Sequence, residues 1–368
     1  MTLTPQVHED AIGPTKVVFV REPRVGLEGV VVVDNTACGP AIGGIRLAPD
    51  ISVGEVARLA RAMTFKNAAA GLAHGGAKGG ILADPTWPVE RRERLIRTFA
   101  RAIRTLDEYI PGPDMGTDET AMAWIHDEIG RAVGLPRVLG GIPLDEIGAT
   151  GYGLAVAAEV AAGAIGLELA RARVAVQGFG AVGYNVARFL KQRGAMLVAA
   201  ADSRGAVHAA DGLDPERLAA HRRAGQPLSA FEGGTSITHD ALVGVPSDIW
   251  IPAARPDVLD ERNVTRLQAK LVLQGANIPA TDGAERWMHG HGILSVPDFV
   301  ANAGGVICAA VEYHGGSEAQ AFATIAERIR QNTAEVLSRS RSRGELPRES
   351  ATALARQRVE QAMACRRP

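Results

Sequence analysis

Apolar positions along this chain change rhythm from one segment to the next, and the rhythm predicts the elements. Between Lys16 and Leu47, β-branched runs (VVFV, then GVVVV) alternate with turn residues and predict strands of a small sheet. Ser52 to Leu72 predicts a helix, with Ser52 as its cap and Val56, Leu59, Ala60 and Met63 as an apolar face on which Lys66 also falls. His74 to Gly80, HGGAKGG, then predicts a glycine-rich loop around Lys78. An amphipathic helix follows from about Val89 to Leu106, then a Pro/Gly loop, YIPGPDMGT, holding Asp114, and a helix from Ala121 to Ala132. Gly134 to Pro143 reads as a linker that closes a first domain, residues 1–140.

The second domain, 141–305, opens with GATGYG and a long Ala-rich helix to about Leu167. A short apolar strand, Arg173 to Gln177, runs into GFGAVG, a helix to Arg193, and a second strand from Met196 to Ala201 that ends at Asp202. This is the dinucleotide-binding pattern in context. Gly178 makes the turn, Gly180 lets a pyrophosphate approach, and Gly183 lets the helix pack on the strand. The phosphates then meet the helix N-terminus at Ala181 and Val182. Asp202 is placed to accept hydrogen bonds from ribose hydroxyls and to repel a 2′-phosphate. That favours NAD, and nearby Arg204 keeps NADP possible. A bare structural βαβ unit is the alternative. Further strands, Asp248 to Pro252, Lys270 to Gln274 and Ile293 to Val296, run into Ala253, Asn277 and the Asn302 segment. In open parallel sheets that is where ligands bind. The fold class expected is α/β with two domains, followed by C-terminal helices over 306–368.

Composition narrows the function. Hydrophobic content of 46% and charged content of 22% are those of a globular protein, and a net charge of -1 gives no reason to expect nucleic acid or an acidic membrane. Three widely spaced cysteines, Cys38, Cys308 and Cys365, form neither a disulfide framework nor a metal-ligand pattern. The N-terminal stretch, residues 1–14, lacks the pattern of a secretory signal, and Ala155 to Leu167 is interrupted by Glu159, so a cytoplasmic protein without a membrane span is expected. Among 40 basic residues only Lys16, Lys66, Lys78, Lys191 and Lys270 are lysines. Two of these fall in one glycine-rich stretch, although arginine serves wherever a plain positive charge is needed. Lysine, unlike arginine, can act as a base near neutrality once moved out of water, so the stretch points to proton exchange. A snorkelling Lys66 and an incidental Lys78 are the alternative.

Taken together, GPAIGGIR, MTFKNAAAGLAHGGAKGG, GPDMGT, GATGYG, VQGFGAVG, QGAN and PDFVANAGGV resemble the glutamate/leucine/phenylalanine/valine dehydrogenases. The resemblance implies a substrate-binding and oligomerisation domain, a Rossmann domain, and C-terminal helices packing back on the first, with the active site in a cleft that closes by domain movement. It implies that Lys66 pairs with the substrate α-carboxylate, that Lys78 is the general base, and that Asp114 shuttles protons at the amino group. Gly43 and Gly44 leave room for substrate, and Thr150, Asn277 and Asn302 help hold nicotinamide and substrate. Glutamate-specific members carry a lysine where this chain has Ile42, so an apolar substrate is implied. Its side-chain pocket is lined by Ile42, Gly112, Val306 and Ala309, and favours bulky or aromatic groups. The implied activity is reversible NAD-dependent deamination of an apolar L-amino acid by a homo-oligomer. The alternatives are a glutamate dehydrogenase with an atypical carboxylate site and a non-catalytic dinucleotide or metabolite sensor.

Overall fold

The computed structural model describes residues 9–366, so most of the N-terminal stretch read for a leader lies outside the described residues. The chain forms two compact units. One comprises the chain up to Leu144 with Val306–Ala321 and the segment from Ala353 onward, and the other Asp145–Gly305 with Phe322–Thr352.

The first unit is built on strands β1 (Lys16–Glu22), β2 (Leu27–Asn35) and β3 (Ala41–Ala48), helix α1 (Val53–Ala69), strand β4 (Gly75–Leu82), helix α2 (Val89–Ala102), strand β5 (Tyr109–Pro113) and helix α3 (Glu119–Ile129). The sheet order is β1-β2-β4-β3-β5. β4 and β5 both run parallel to β3, and β2 runs antiparallel to β1 and β4. Val30 and Val32 of β2 pack with Val56 and Ala60 of α1 on one face. Ile45, Leu47, Ala77 and Ile81 join Leu95, Ile96 and Phe99 of α2 on the other. Alternate strand residues thus serve separate helical layers, as the two-residue period requires.

Three expectations are corrected here. HGGAKGG is not a loop: from Gly75 it is the strand β4, flanked on both sides by other strands. Its glycines serve close packing, since a Cβ on Gly76 would lie 2.0 Å from the Thr64 amide nitrogen and one on Gly80 2.7 Å from Val56 Cγ2. YIPGP is likewise a strand, β5, and its two prolines are tolerated because it lies at the sheet edge. The most buried line of α1 runs through Val56, Ala60, Thr64, Asn67 and Ala68, which leaves Leu59, Met63 and Lys66 half-buried. The Ser52 cap is present, its hydroxyl accepting from the Glu55 amide.

A short helix α4 (Leu144–Ile147) leads into the second unit. It carries α5 (Ala149–Ala164), β6 (Arg173–Gln177), α6 (Ala181–Lys191), β7 (Met196–Asp202), β8 (Gly205–His208), α7 (Pro215–Arg223), β9 (Thr235–Ile237), α8 (His239–Val243) and β10 (Ile249–Pro252). β11 (Leu271–Leu273), α9 (Asp282–Gly290), β12 (Leu294–Val296) and α10 (Asp298–Ala301) follow. The sheet order is β12-β11-β10-β6-β7-β8-β9. The first five are parallel, and β8 and β9 extend the edge antiparallel. The carboxyl ends of β6 and β10 lie side by side, Gln177 opposite Pro252. Leu144–Ala164 is long and apolar enough to cross a membrane by length and composition alone, and most of it is buried in the fold. The last helices are α11 (Gly304–Tyr313), α12 (Glu318–Arg343) and α13 (Pro347–Ala364). Residues 306–368 were expected to return together to the first domain, but Phe322–Thr352 belongs to the second unit. Arg330 there pairs with Glu159 and Arg341 donates to the Ala164 carbonyl.

Candidate active site

In the first unit the site grows from three adjacent strands. Lys78 leaves β4 on the face toward α1, between Gly76 and Gly80, the two glycines that let the helix come close. It is 6% exposed. Its Nζ lies 2.9 Å from Asp114 Oδ2, just beyond the end of β5. Asp114 is itself fixed by its loop, its amide donating to Thr117 Oγ1 and that hydroxyl to the Ile45 carbonyl. The same Oδ2 accepts from Arg46 Nε at 3.0 Å, and Arg46 Nη1 reaches Glu55 Oε1 at 2.6 Å. Burial pushes the Lys78 amine below its ordinary range, against the pull of Asp114 and with help from the Arg46 charge. For Asp114 burial acts upward, yet Lys78 and Arg46 outweigh it and hold the carboxyl below its usual value. A desolvated lysine beside a firmly anionic aspartate is an arrangement that can exchange protons near neutrality.

Gly44 is the space beside this pair. A Cβ there would lie 2.7 Å from the Pro113 carbonyl oxygen, 2.8 Å from Asp114 Cβ and 3.3 Å from Lys78 Nζ. Gly44→Ala is therefore expected to push the Asp114 loop aside and lower kcat/KM by about 30-fold, since sub-ångström misplacement of reacting groups is costly. Steady-state kinetics on a variant with unchanged circular dichroism checks this, and undiminished kcat/KM would refute it. At Gly43 a Cβ would fall 1.6 Å from the Ala77 carbonyl oxygen, so that glycine is needed for strand pairing. Lys66 lies half-buried in the last turn of α1. That turn is bound to β4 through Asn67 Nδ2, which donates to the Gly75 carbonyl at 2.6 Å.

Two residues back along β3, on the face shared with Gly44 and Arg46, Ile42 enters an apolar cluster. It holds Ile110, Val133, Ala309 and Ala310, with Leu72 against it. Gly112, paired with Gly44, meets the same cluster: a Cβ on it would lie 3.1 Å from Val133 Cγ2. Val306, one helical turn before Ala309 in α11, is half-buried. Two strand residues span roughly 7 Å, about the distance from an amino acid's α-carbon to the body of a long side chain.

The second unit carries the expected dinucleotide features. Gly178 has φ +97°, and a Cβ on Gly183 would lie 2.0 Å from the Gly178 carbonyl oxygen, so the turn and the close packing both require glycine. Gly180 is different, because a Cβ there meets nothing within 4 Å. It opens α6 without a side-chain cap, leaving the Ala181–Val182 helix start facing open space. A pyrophosphate fits that cradle. Asp202 ends β7, and its carboxylate accepts the amides of Arg204 and Leu228. Arg204 turns its guanidinium to the Gly225 carbonyl. Ala253 follows β10, its amide bound to the Gln177 carbonyl, and Thr150 is half-buried at the start of α5. Asn302 donates to Asn277 Oδ1 at 3.2 Å and to the Gly275 carbonyl, so two of the expected residues meet. Its own Oδ1 is buried without a partner, as is Gln177 Oε1, and both suit an amide-bearing ligand.

Sequence reasoning missed several residues of these sites. Arg46 stood in a quoted motif, and the two-residue strand period from Gly44 could have found it. Glu55, Ile110, Val133 and Ala310 gave no such signal. Nor did Arg348, which binds Glu285, Gln274 and Asp298, while Asp298 Oδ2 accepts the Ile278 amide and so braces the turn carrying Asn277.

Comparison with known proteins gives the family. Residues 140–367 match the family described as Glutamate/Leucine/Phenylalanine/Valine dehydrogenase, and residues 14–131 match Glu/Leu/Phe/Val dehydrogenase, dimerisation domain. A glutamate dehydrogenase of Aeropyrum pernix is 37% identical over 83% of this chain and 77% of its own. An NADP(+)-dependent glutamate dehydrogenase of Pyrobaculum calidifontis is 39% identical over 78% and 72%. Among solved structures, the hetero-hexameric glutamate dehydrogenase of Thermus thermophilus in a Leu-bound form superposes with a TM-score of 0.85 at 32% identity, covering 96% of this chain and 90% of the other.

Proposed function

Because the chain belongs to the glutamate/leucine/phenylalanine/valine dehydrogenase family, we propose that it deaminates a bulky apolar L-amino acid, reversibly, to the 2-oxo acid and ammonia, with NAD as the preferred cofactor. The observation that carries the substrate class is the uncharged cluster around Ile42, on the sheet face that also bears Lys78 and Asp114. The family itself comprises nicotinamide-dependent amino acid dehydrogenases, oxidoreductases that act on the amino-bearing carbon.

The bound dinucleotide supplies the hydride acceptor. Lys66 pairs with the substrate α-carboxylate and orients the α-carbon. Once the α-carbon has lost hydride, the substrate is an iminium. Lys78 Nζ, neutral, takes a proton from water as the water oxygen bonds to that carbon. Asp114 relays the proton to the amine nitrogen, and ammonia leaves as the hydroxyl proton passes back to Asp114. Gly44 keeps the space beside Lys78 and Asp114 open, while Gly43, expected to share that role, serves the pairing of β3 with β4. In the second unit Gly178 to Gly183 hold the pyrophosphate, Asp202 faces the adenosine ribose, and Asn277, Asn302, Thr150 and Ala253 border the nicotinamide. The protein works in the cytoplasm as a homo-oligomer.

A panel of L-amino acids assayed with NAD and NADP by absorbance of the reduced cofactor tests the reading. Turnover of no amino acid would favour a sensor, and glutamate as best substrate would favour the glutamate alternative. NAD is expected to exceed NADP about tenfold in kcat/KM. Asp202→Asn should narrow that ratio, since it removes the charge that repels a 2′-phosphate. Equal kcat/KM for the two cofactors in the wild type would count against the preference.

A further inference from the structure

The quartet of buried Lys78 with half-buried Asp114, Arg46 and Glu55 contains one more cation than a base and its proton shuttle need. Lys78 Nζ and Arg46 Nε both meet the same oxygen, Asp114 Oδ2, at 2.9 and 3.0 Å. Arg46 is anchored from its other side by Glu55, in the first turn of α1. We propose that Arg46 is the positioning residue that lets Lys78 give up its proton: its guanidinium holds Asp114 by Oδ2 and remains that carboxylate's counter-ion while the lysine is neutral. The inference rests on the reading of Lys78 as the base.

The argument is one of charge. With Lys78 protonated, two cations face two carboxylates. When its proton leaves to solvent, Arg46 still faces Asp114 and Glu55, and one negative charge is left over. Without Arg46 the same release would leave Asp114 and Glu55 facing neither the guanidinium nor a charged Lys78, and Asp114 would hold the proton on Lys78. Arginine keeps its charge throughout, because guanidinium does not deprotonate in proteins, and a lysine paired with Asp114 in its place would supply the same charge without the fork. Its planar fork also reaches both carboxylates, which a lysine could not do.

The other groups facing the pair do not take this role. Tyr109 of β5 is fully buried, burial pushes its phenol upward so that it stays neutral, and its hydroxyl donates to the Gly43 carbonyl. Opposite Lys78 on β2 stands Val32, which carries no charge. From α1 comes Glu55, already counted.

The test is kcat/KM against pH, with the best amino acid from the panel, for wild type, Arg46→Gln, Arg46→Lys and Lys78→Ala. Arg46→Gln is expected to move the acid limb upward by about one pH unit, a roughly tenfold loss at neutral pH that is recovered in alkali. Arg46→Lys should leave the limb where it is, with a lower kcat because one fork is lost. An arginine that merely packs would lower kcat/KM equally at every pH, and that result would overturn the inference. Should Arg46→Gln not fold, Arg46→Lys decides. An unmoved limb with reduced kcat supports the inference, and a limb displaced by a unit or more refutes it. Lys78→Ala separates the two claims. If it is inactive while Arg46→Gln leaves the limb unmoved, the inference alone fails. If it stays active, Lys78 is not the base and both fail.

Discussion

Lys78→Ala is expected to lower kcat for deamination about 10³-fold while leaving NADH affinity within about twofold of wild type. The first part follows from removing the group that takes the proton of the attacking water, a step whose loss costs roughly 10²–10⁴-fold. The second follows from where the features lie. Lys78 belongs to β4 of the first unit, and the glycine cradle at Gly178 to Gly183 belongs to the second. Asp114 remains paired with Arg46 in the variant, so its loop has no reason to collapse. Lys66→Ala should behave differently, raising KM for the amino acid more than it lowers kcat, because it removes a binding partner and not a proton carrier. Pre-steady-state absorbance and NADH fluorescence titration separate these outcomes. A Lys78→Ala enzyme that kept a tenth of the wild-type rate would show that another group activates water.

How much of this was legible in the sequence differs between the two units. The dinucleotide half was readable because its rules are local. A turn that needs positive φ, a helix that needs to approach a strand and an acid at the next strand's end leave fixed spacings, and Gly178, Gly183 and Asp202 occupy them. The glycines around Lys78 misled because they obey a tertiary rule. Glycine ordinarily disfavours strands, yet Gly76 and Gly80 sit in β4 because α1 descends onto them. The prolines of β5 misled similarly, being acceptable only at an edge that sequence does not reveal. Arg46 was visible as a letter in a motif but not as a partner. Its meeting with Asp114 depends on β3 and β5 pairing in one register, with Gly44 opposite Gly112. The pocket cluster joins residues as distant in sequence as Ile42 and Ala310, and no spacing encodes that.

Apolar amino acids with long or aromatic side chains are expected to exceed glutamate by about 10³-fold in kcat/KM. Ile42 is buried among Ile110, Val133, Ala309 and Ala310, and none of these can pair with a carboxylate. Moving an ionised side chain into such surroundings without a partner costs roughly 4 kcal/mol or more after relaxation, which corresponds to that ratio. Size is the finer discriminator. Gly112 and Ala309 leave the wall of this cluster thin, and each methylene that fills it adds roughly 1 kcal/mol. Phenylalanine and methionine are therefore expected to outperform valine and alanine by steps of about fivefold. Gly112→Ala adds a methyl whose carbon would stand 3.1 Å from Val133 Cγ2. Gly112 has ordinary backbone angles, so the variant should fold, with Val133 giving way slightly and the space shrinking. The ranking should then move toward leucine and valine, with KM for phenylalanine rising most. Comparing kcat/KM across these amino acids for wild type and Gly112→Ala is the direct measurement. Valine ahead of phenylalanine in the wild type, or an unchanged ranking in the variant, would mean that the side chain binds elsewhere. Glutamate ahead of all would require a cation to reach this cluster from a residue outside it.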